Sequence, residues 1–339
     1  MATEPTKINI LVFIGPHPDD AIGENLMKLP FLRGLKDKFP HSNITWMHGN
    51  KPNMFEHLLE PLVRNLIYEF APSKTVGTGW SKLFLANHPL SGKHFQIVVD
   101  TQKNPKYTML LKKVSHELFI SSTWRYMFSD LKPSWTSSRS LSQTGKLLDL
   151  LSLMADTKVR PDYRADVPNE YLTAAAIILP SGKNYVGLAP GAGRMDTGKC
   201  WPLKNFISLA QNLQSSGLTP VFFLGPSEKV FIKEIENSKT SSVIAPLNWL
   251  LRDSKKVGGP PLTIALGTRL RVSVANCSGT GHMLAAGGSK MVSLYGPTSS
   301  KKFAPYSPHV KAIHAQDFGS NCIEVIPVGE VYKTVMSLL

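Results

Sequence analysis

The chain has 339 residues, of which 42% are hydrophobic and 18% charged, a balance typical of globular proteins with a sizeable core. This composition excludes a disordered chain, and the length predicts two domains. No apolar run reaches the ~18 residues of a membrane span, while 38 Lys and Arg against 24 Asp and Glu give a net charge of +14.

The first half of the chain predicts a parallel sheet. Ile8–Gly15 is typical of a buried strand, Asn25–Phe39 has leucines at helical spacing, and Ile44–Met47 resumes a strand. A strand–helix–strand unit of this kind requires a right-handed crossover and parallel pairing. The later elements predicted in this half are the strands Phe95–Asp100 and Glu117–Ser121 and the helix Lys146–Met154.

A second series of strands and helices follows residue 180. Its predicted strands are Tyr185–Ala189, Pro220–Leu224, Val243–Ala245, Leu270–Ala275 and Met291–Leu294, and its predicted helices are Leu203–Gln214, Phe231–Asn237, His282–Ala286 and Val328–Leu339. Two such series predict an α/β protein with two Rossmann-like domains, residues 1–180 and 181–339, facing each other across a cleft. It stays open whether the last helix packs back on the first domain. Ligands are expected outside the carboxyl ends of the strands.

The strongest local signal is an Asn-Cys-Ser-Gly-Thr-Gly-His segment between a predicted strand and a predicted helix. Ser278 or Thr280 can cap the helix, and Gly279 and Gly281 allow a ligand to approach the backbone. Unpaired amides at the helix start, together with the helix dipole, predict a site for a diphosphate. A histidine such as His282, taken alone, is more typical of a packed side chain than of a catalytic one.

Two further loops lie at predicted strand ends. Gly191 and Ala192 belong to a glycine-rich turn that can also face phosphate, and Lys199 follows at a distance that allows it to return to the same site. A lysine there can neutralise charge on a departing diphosphate. Glu228 follows the next strand and can accept hydrogen bonds from a ribose or a base, although an acid at a helix start is also a routine dipole partner.

The loop after the first strand supports two interpretations. His17-Pro18-Asp19-Asp20 resembles the first metal motif of zinc-dependent N-acetylglucosaminyl de-N-acetylases, which implies His17 and Asp20 as ligands and Asp19 as base. The paired distal histidines and the second acid of those enzymes have no counterpart here. In the other interpretation Glu24, at a helix start, is the general base for an acceptor hydroxyl.

The ordered set of motifs resembles glycosyltransferase family 9, the bacterial heptosyltransferases of lipopolysaccharide core assembly. The resemblance runs through the opening strand and helix, Phe95–Gln102, the glycine-rich turn, Leu224-Gly225 with Glu228, and the C-terminal signature. The motif residues that carry it best are Pro190-Gly191-Ala192, Lys199-x-Trp201-Pro202, Asn276-x-Ser278-Gly279, His282 and Tyr295-Gly296-Pro297-Thr298. The family implies a GT-B fold, with acceptor bound by the first domain and nucleotide sugar by the second.

The resemblance also implies residue roles. Glu24 stands where the family usually has a catalytic Asp, and Lys199 matches the lysine on the donor phosphate. The donor-binding set that it implies is Gly191, Ala192, Glu228, Cys277, Ser278, Gly279, Thr280, Gly281 and His282. Candidate acceptor-binding residues are His17, Asp19, Asp20 and Asp100. One position departs from the pattern: Cys277 replaces an Asp that contacts the donor sugar, and a thiol carries no charge until roughly pH 8.5.

We therefore expect an inverting, metal-independent glycosyltransferase that uses a nucleotide diphosphate sugar, needs no cofactor and acts on a lipopolysaccharide core or similar glycan. Cys200, Cys277 and Cys322 form no metal pattern, and the N-terminus lacks the apolar core of a signal peptide. These features predict a cytoplasmic protein, with its basic charge suited to peripheral contact with an anionic membrane. Rival hypotheses are the zinc deacetylase, a non-catalytic nucleotide-sugar binder and a nucleic-acid-binding protein. The last is disfavoured because the sequence has no arginine-rich run.

Overall fold

The structure is a computed structural model that describes residues 7–15, 21–49, 53–72, 90, 92–134, 139–193, 198–238, 240–246 and 257–339. These residues divide into two compact units. The first contains the described residues of 1–20 and 28–161, and the second contains residues 21–27 and the described residues of 162–339. No helix in the described ranges is long and apolar enough to cross a membrane.

The first unit is built around a parallel sheet with the strand order β3-β2-β1-β4-β5. Its strands are β1 (Ile8–Phe13), β2 (Ser42–His48), β3 (Glu69–Pro72), β4 (His94–Asp100) and β5 (Ser115–Ser121). Its helices are α1 (Ile22–Lys38), whose first turn belongs to the second unit, α2 (Pro105–Leu111) and α3 (Gln143–Met154). The strand order reverses at β1, so the carboxyl ends of β1 and β4 flank the switch point of this sheet.

The second unit has a parallel sheet of six strands in the order β11-β10-β9-β6-β7-β8. The strands are β6 (Tyr185–Ala189), β7 (Thr219–Leu224), β8 (Val243–Pro246), β9 (Leu270–Asn276), β10 (Lys290–Tyr295) and β11 (Val310–His314). The helices are α4 (Asn169–Ile178), α5 (Leu203–Ser215), α6 (Ile232–Asn237), α7 (Gly259–Gly267), α8 (Gly279–Ala286), α9 (Ser300–Phe303) and α10 (Val328–Met336).

Helices cover both faces of the second sheet. On one face Phe206 of α5 and Val331 of α10 pack against strand residues such as Val272. On the other face Tyr171 of α4 and Leu284 of α8 pack in a separate cluster with residues of α7. Because helices cover both faces, the inner strands β6, β7 and β10 are buried along most of their length and largely apolar, which explains why the sequence predicted them. Helix α10 packs against α5 in the core of the second unit.

Residues 162–180 group with the second unit, whereas the sequence analysis placed the boundary at residue 180. The backbone N–H of Ala165 donates to the carbonyl of Ala286 at 2.8 Å. Helix α4 then packs on α7 and supplies Tyr171 and Ala174 to the core. The apolar side of α4 therefore completes the second unit, and the division falls between Pro161 and Asp162.

Candidate functional site

The candidate site lies at the carboxyl edge of the second sheet. Strand β6 pairs with β9 on one side and with β7 on the other, so the strand order reverses at β6. In open α/β sheets this reversal opens a crevice at the carboxyl ends, where ligands bind. The loops after β6, β7, β9 and β10 all leave from this edge, and they carry the predicted donor-binding residues.

Asn276, the last residue of β9, ties two of these loops together. Its side-chain amide donates to the carbonyl of Pro190 at 2.7 Å and accepts from the backbone N–H of Trp201 at 3.0 Å. The side chain is fully buried. Trp201 is held further by a bond from its indole N–H to the carbonyl of Ile326 at 2.9 Å. Asn276 thus fixes the glycine-rich turn and the segment that carries Lys199, a role that the sequence analysis did not assign.

Glu228 lies over the backbone of two glycines. Its side chain is buried, and a Cβ placed on Gly191 would lie 2.5 Å from Glu228 Oε1. A Cβ on Gly225 would collide with the other carboxylate oxygen. Burial raises the pKa of the Cys200 thiol, and the nearby charge of Glu228 raises it further. Glu228, Gly191 and Cys200 are therefore brought together beside the glycine-rich turn, where a carboxylate can receive ribose hydroxyls.

Helix α8 presents free backbone amides at its start. Ser278 is the N-cap, and its hydroxyl accepts from the N–H of Gly281 at 3.3 Å. The N–H of His282 donates to the carbonyl of Ser278. Within the described residues, the amides of Gly279 and Thr280 have no acceptor. Two unpaired amides and the positive end of the helix dipole can hold an anion, so a diphosphate site at this helix start stays a prediction.

Cys277 is surrounded by groups that can bind a polar ligand. Burial raises the pKa of its thiol, while the Thr298 hydroxyl and the Lys199 ammonium act in the opposite direction. Tyr295 comes directly after Leu294, the β10 residue that pairs with Asn276. Burial raises the pKa of the Tyr295 hydroxyl, and the charge of Cys277 raises it further. Tyr295 Oη and Thr298 Oγ1 are buried and form no hydrogen bond of good geometry in the described ranges, although the Ser293 hydroxyl lies near the first and the Cys277 thiol near the second.

The sequence analysis quoted Tyr295 and Thr298 as motif residues but gave them no role. Their position in the sequence could have indicated a role in binding, since both follow a predicted strand at the edge where ligands were expected. Buried hydroxyls without partners are uncommon, because leaving such a group unpaired costs about 1–3 kcal/mol. A ligand that reaches Cys277 can satisfy both hydroxyls.

His282 is a packed, neutral residue. It is 8% exposed, and burial lowers the pKa of its imidazole to about 4, against a weaker opposite effect of the Phe303 carbonyl, which accepts a hydrogen bond from the ring. At neutral pH it therefore adds no positive charge to a diphosphate site. Its ring Cδ2 lies near Gly23: a Cβ placed on Gly23 would lie only 3.1 Å away.

The first turn of α1 lies beside the start of α8. This turn belongs to the second unit, and a Cβ on Gly23 would lie 3.4 Å from the Cα of Gly279. Glu24, the next residue, is exposed, and its backbone N–H donates to the carbonyl of Ala21 at 3.0 Å. The structure thus brings the predicted base next to the predicted diphosphate site.

Asp100, a candidate acceptor-binding residue, is fully buried and its carboxyl is already occupied. One oxygen accepts from Thr108 Oγ1 at 2.6 Å and Ser121 Oγ at 2.9 Å, and the other accepts from the backbone N–H of Gln102 at 2.9 Å. Burial raises its pKa to about 6, although these hydrogen bonds oppose the shift. These contacts use both carboxyl oxygens of Asp100 to hold the loops after β4 and β5, and its predicted contact with an acceptor stays a prediction.

The other candidate acceptor residues, His17, Asp19 and Asp20, lie outside the described residues, and so does the deacetylase motif that contains them. Across the ranges that the structure does describe, no group of three or more His, Cys, Asp and Glu side chains could hold a metal ion.

The comparisons point to one family. A family model described as glycosyltransferase family 9 (heptosyltransferase) matches residues 88–325. The glycosyl transferase family 9 structure from Veillonella parvula is similar at 20% identity and a TM-score of 0.70, covering 100% of this chain and 99% of that one. The E. coli ADP-heptose lipopolysaccharide heptosyltransferase II is similar at 19% identity and 0.63, covering 98% of both chains.

A third similar structure, E. coli heptosyltransferase WaaC with ADP, has 15% identity and a TM-score of 0.65, covering 98% of this chain and 100% of that one. No curated protein matches the chain by sequence. Neither the family model nor these structures supports the deacetylase alternative.

Proposed function

Because this chain belongs to glycosyltransferase family 9, we propose that it transfers a heptose or a related sugar from a nucleotide diphosphate donor to a hydroxyl of a lipopolysaccharide core or similar glycan. The chain is a glycosyltransferase, and its fold is α/β of the GT-B class, as the sequence predicted. The finer assignments below, which concern mechanism, donor and acceptor, form the proposal.

One observation carries the proposal: the carboxyl edge of the second sheet collects the groups that a nucleotide diphosphate requires. The free amides of Gly279 and Thr280 and the Lys199 side chain suit the diphosphate. Glu228, beside the glycine-rich turn, suits the ribose or the base. For a diphosphate at the start of α8, we place the sugar beside Cys277, which directly precedes the N-cap Ser278, and beside Tyr295 and Thr298.

The reaction then proceeds in one displacement. Glu24 takes the proton of the acceptor hydroxyl, whose oxygen attacks the anomeric carbon from the face opposite the diphosphate. The bond between the anomeric carbon and the diphosphate oxygen breaks, and the electron pair leaves with the nucleotide. Lys199 and the α8 amides stabilise the charge that grows on this leaving group. Because the acceptor oxygen attacks from the opposite face, the anomeric carbon of the product has inverted configuration.

No step of this scheme uses a metal, because a lysine and a helix start neutralise the leaving group. We therefore expect transfer to continue after treatment with EDTA. Abolition by EDTA, with recovery on adding zinc, would instead favour the motif His17-Pro18-Asp19-Asp20. A protein that binds the donor without turnover would fit the non-catalytic alternative.

The acceptor assignment follows from charge and family. Lipopolysaccharide-type acceptors are anionic glycolipids, and the chain has a net charge of +14. Attraction to an anionic membrane brings the protein to such an acceptor, in peripheral contact that weakens as salt rises. Nucleic acid is not part of this scheme, and binding of oligonucleotides in preference to nucleotide diphosphates would count against it.

The roles are tested by measuring nucleotide release and product formation for Glu24→Gln and Lys199→Ala. Loss of the base removes about 10²–10⁴-fold of the transfer rate, so Glu24→Gln should lower kcat without weakening donor binding. Lys199→Ala should weaken both donor binding and turnover. Matched controls are Glu170→Gln, an acid in the first turn of α4, and Lys204→Ala, an exposed lysine of α5. Full activity of both test variants would show these assignments to be wrong.

A further inference from the structure

The loop that follows β5 contains three successive residues with left-handed backbone. Trp124, Arg125 and Tyr126 have φ values of 44°, 57° and 67°. None is a glycine, and bulky side chains are disfavoured in this region because Cβ approaches the following carbonyl. A run of this kind persists only where the surrounding structure enforces it, and such strain concentrates at recognition sites. We call residues 122–134 the post-β5 loop.

Buried contacts hold this turn in place. Thr123, fully buried, donates from Oγ1 to the carbonyl of Gln102 at 3.2 Å, and the N–H of Met127 donates to the carbonyl of Thr123 at 3.2 Å. Tyr126 is buried, and the Arg139 guanidinium lies 6.0 Å from its ring centre. Thr123 also hydrogen-bonds Thr108, whose hydroxyl donates to the buried carboxyl of Asp100, so the turn is joined to the Asp100 network. The buried contacts of Thr123 and Tyr126 therefore hold the strained backbone of the loop in one conformation.

The fixed turn presents apolar side chains to solvent. Trp124 is 58% exposed and Met127 is 63% exposed. Leu131 is also exposed. The Trp124 ring packs on the Phe128 ring, with 5.5 Å between the ring centres. Single exposed apolar residues are ordinary, but three of them within eight residues, on a strained and rigid turn, form an apolar tip.

Basic residues flank this apolar tip. Arg125 and Lys132 are exposed, and neither forms an ion pair within the described part of the chain. Asp130 is the one acid between residues 122 and 134, and it is already engaged by the Phe119 N–H at 2.6 Å and by Lys112 at 3.8 Å. The uncompensated charge of the loop is thus positive beside an exposed Trp.

We propose that the post-β5 loop inserts Trp124 and Met127 into the interface of an anionic membrane, with Arg125 and Lys132 on lipid phosphates. Trp is the residue that prefers the level of the headgroups, and basic residues beside it add attraction to anionic lipid. The loop leaves the carboxyl edge of the first sheet, the edge at which an acceptor is expected. This inference rests on the proposed function for the source of the membrane, a lipid-linked acceptor.

The test is co-sedimentation of the full chain with vesicles of equal parts phosphatidylglycerol and phosphatidylethanolamine. We expect Trp124→Ala to bind about tenfold more weakly and Arg125→Gln about fivefold more weakly. Tyr68→Ala removes another aromatic side chain of the first unit, 72% exposed, and should bind as the wild type does. Vesicles of phosphatidylcholine should bind all these proteins weakly.

A second readout uses fluorescence. Addition of anionic vesicles should shift the tryptophan emission to shorter wavelength, and Trp124→Phe should lose this shift while keeping most of the binding, because Phe can still pack on Phe128. Wild-type vesicle binding by Trp124→Ala, or an equal loss in Tyr68→Ala, would overturn the inference. So would a Trp124→Ala variant that binds vesicles normally but transfers poorly to a water-soluble, delipidated acceptor, since the loop would then recognise the glycan.

Failure of the loop proposal and failure of the proposed function are distinguishable. The residues proposed for ADP binding belong to the second unit and none lies in the post-β5 loop, so ADP binding by the wild type is measured separately, without vesicles. If ADP binds and vesicle binding does not depend on Trp124, only the loop proposal fails. If vesicle binding depends on Trp124 but no nucleotide diphosphate binds, the proposed function fails, and the proposal that the post-β5 loop binds membranes is retained.

Discussion

Position 191 requires glycine because of its neighbour and not because of its own backbone. Gly191 is not among the glycines with positive φ, so an alanine is compatible with the turn. A Cβ there would lie 2.5 Å from Glu228 Oε1 and 2.6 Å from its Cδ, at the flexible end of that side chain. The carboxylate can move, so the substitution should displace Glu228 at little cost in stability.

We predict that Gly191→Ala and Glu228→Ala each weaken nucleotide diphosphate binding by about tenfold, the value of one hydrogen bond to a charged group. Because both changes remove the same contact, the double variant should be no worse than Glu228→Ala alone. Isothermal titration with ADP measures this. Gly329→Ala, on an open surface of α10, is the control. Additive losses would show that Gly191 and Glu228 act independently.

The residue scale is also where sequence reasoning was least complete. Cys277 was singled out because it breaks a family pattern, but Tyr295 and Thr298 came to light through their unpaired hydroxyls. Hydrogen bonding of a buried side chain depends on tertiary contacts, which no local pattern contains. The same holds for Asp100: its place after a strand was predictable, whereas the hydroxyls of Thr108 and Ser121 that occupy it were not.

At the scale of elements, Asn276 connects the end of β9 to the two loops that form the donor site. Its amide satisfies one carbonyl and one N–H of buried backbone. Asn276→Ala leaves both unpaired, so we expect the second unit to lose about 3 kcal/mol of unfolding free energy. Urea unfolding measures this loss, with the exposed Asn212→Ala of α5 as control.

Asn276→Asp separates the two contacts. An aspartate still accepts from the Trp201 N–H but cannot donate to the Pro190 carbonyl, so it should destabilise the unit and weaken ADP binding through the glycine-rich turn. If Asn276→Asp matches the wild type in both stability and ADP binding, the bond to Pro190 has no role in holding the site.

Most strands were predictable because alternation of buried strand and amphipathic helix gives clear local patterns. Four helices, α2, α4, α7 and α9, were not predicted from the sequence. Helix α7 is apolar on every side and begins with Gly259 and two prolines, which are typical of a turn but are also tolerated in a first helical turn. Helix α4 was not predicted, although it contains an apolar run, and in the structure it packs on α7. The edge strands β3 and β11, with few buried residues, were missed as well.

At the scale of the whole molecule, Asp100 in the first unit and His282 in the second are buried groups with strongly shifted pKa values, and the two respond oppositely to pH. Burial raises the pKa of Asp100 from 3.8 to about 6 in the first unit and lowers that of His282 from 6.5 to about 4 in the second. Between pH 4 and 6 the folded first unit holds the Asp100 proton more tightly than the unfolded chain, so its stability falls as pH rises. The second unit gains stability over the same range, since the unfolded chain binds more protons at His282.

We predict that Asp100→Asn abolishes the loss in the first unit between pH 4 and 6, on the order of 3 kcal/mol. Its side chain can still accept from the Gln102 N–H. His282→Gln should likewise abolish the gain in the second unit over pH 4 to 6.5. Hydrogen exchange resolved by peptide reports each unit separately. Unchanged pH dependence of exchange in the variant's own unit would show that another group is responsible.

The sequence predicted two units but not the residues at which the chain passes from one to the other. Two α/β series predicted two units, and the family and fold were confirmed. The sequence could not show that residues 21–27 and 162–180 group with the second unit, because that depends on contacts such as Ala165 to Ala286 and on the packing of α4. The assignment of acceptor to the first unit and donor to the second remains a prediction.

The most direct measurement is the melting temperature of the full chain with ADP, GDP, UDP and CDP, each without added metal. A ligand held only by the folded protein, at about 100 times its dissociation constant, stabilises by about 2.7 kcal/mol. We predict a rise with one diphosphate, which is lost in Lys199→Ala and kept in Lys204→Ala. No rise with any diphosphate, or an equal rise in Lys199→Ala, would contradict a donor site at the carboxyl edge of the second sheet.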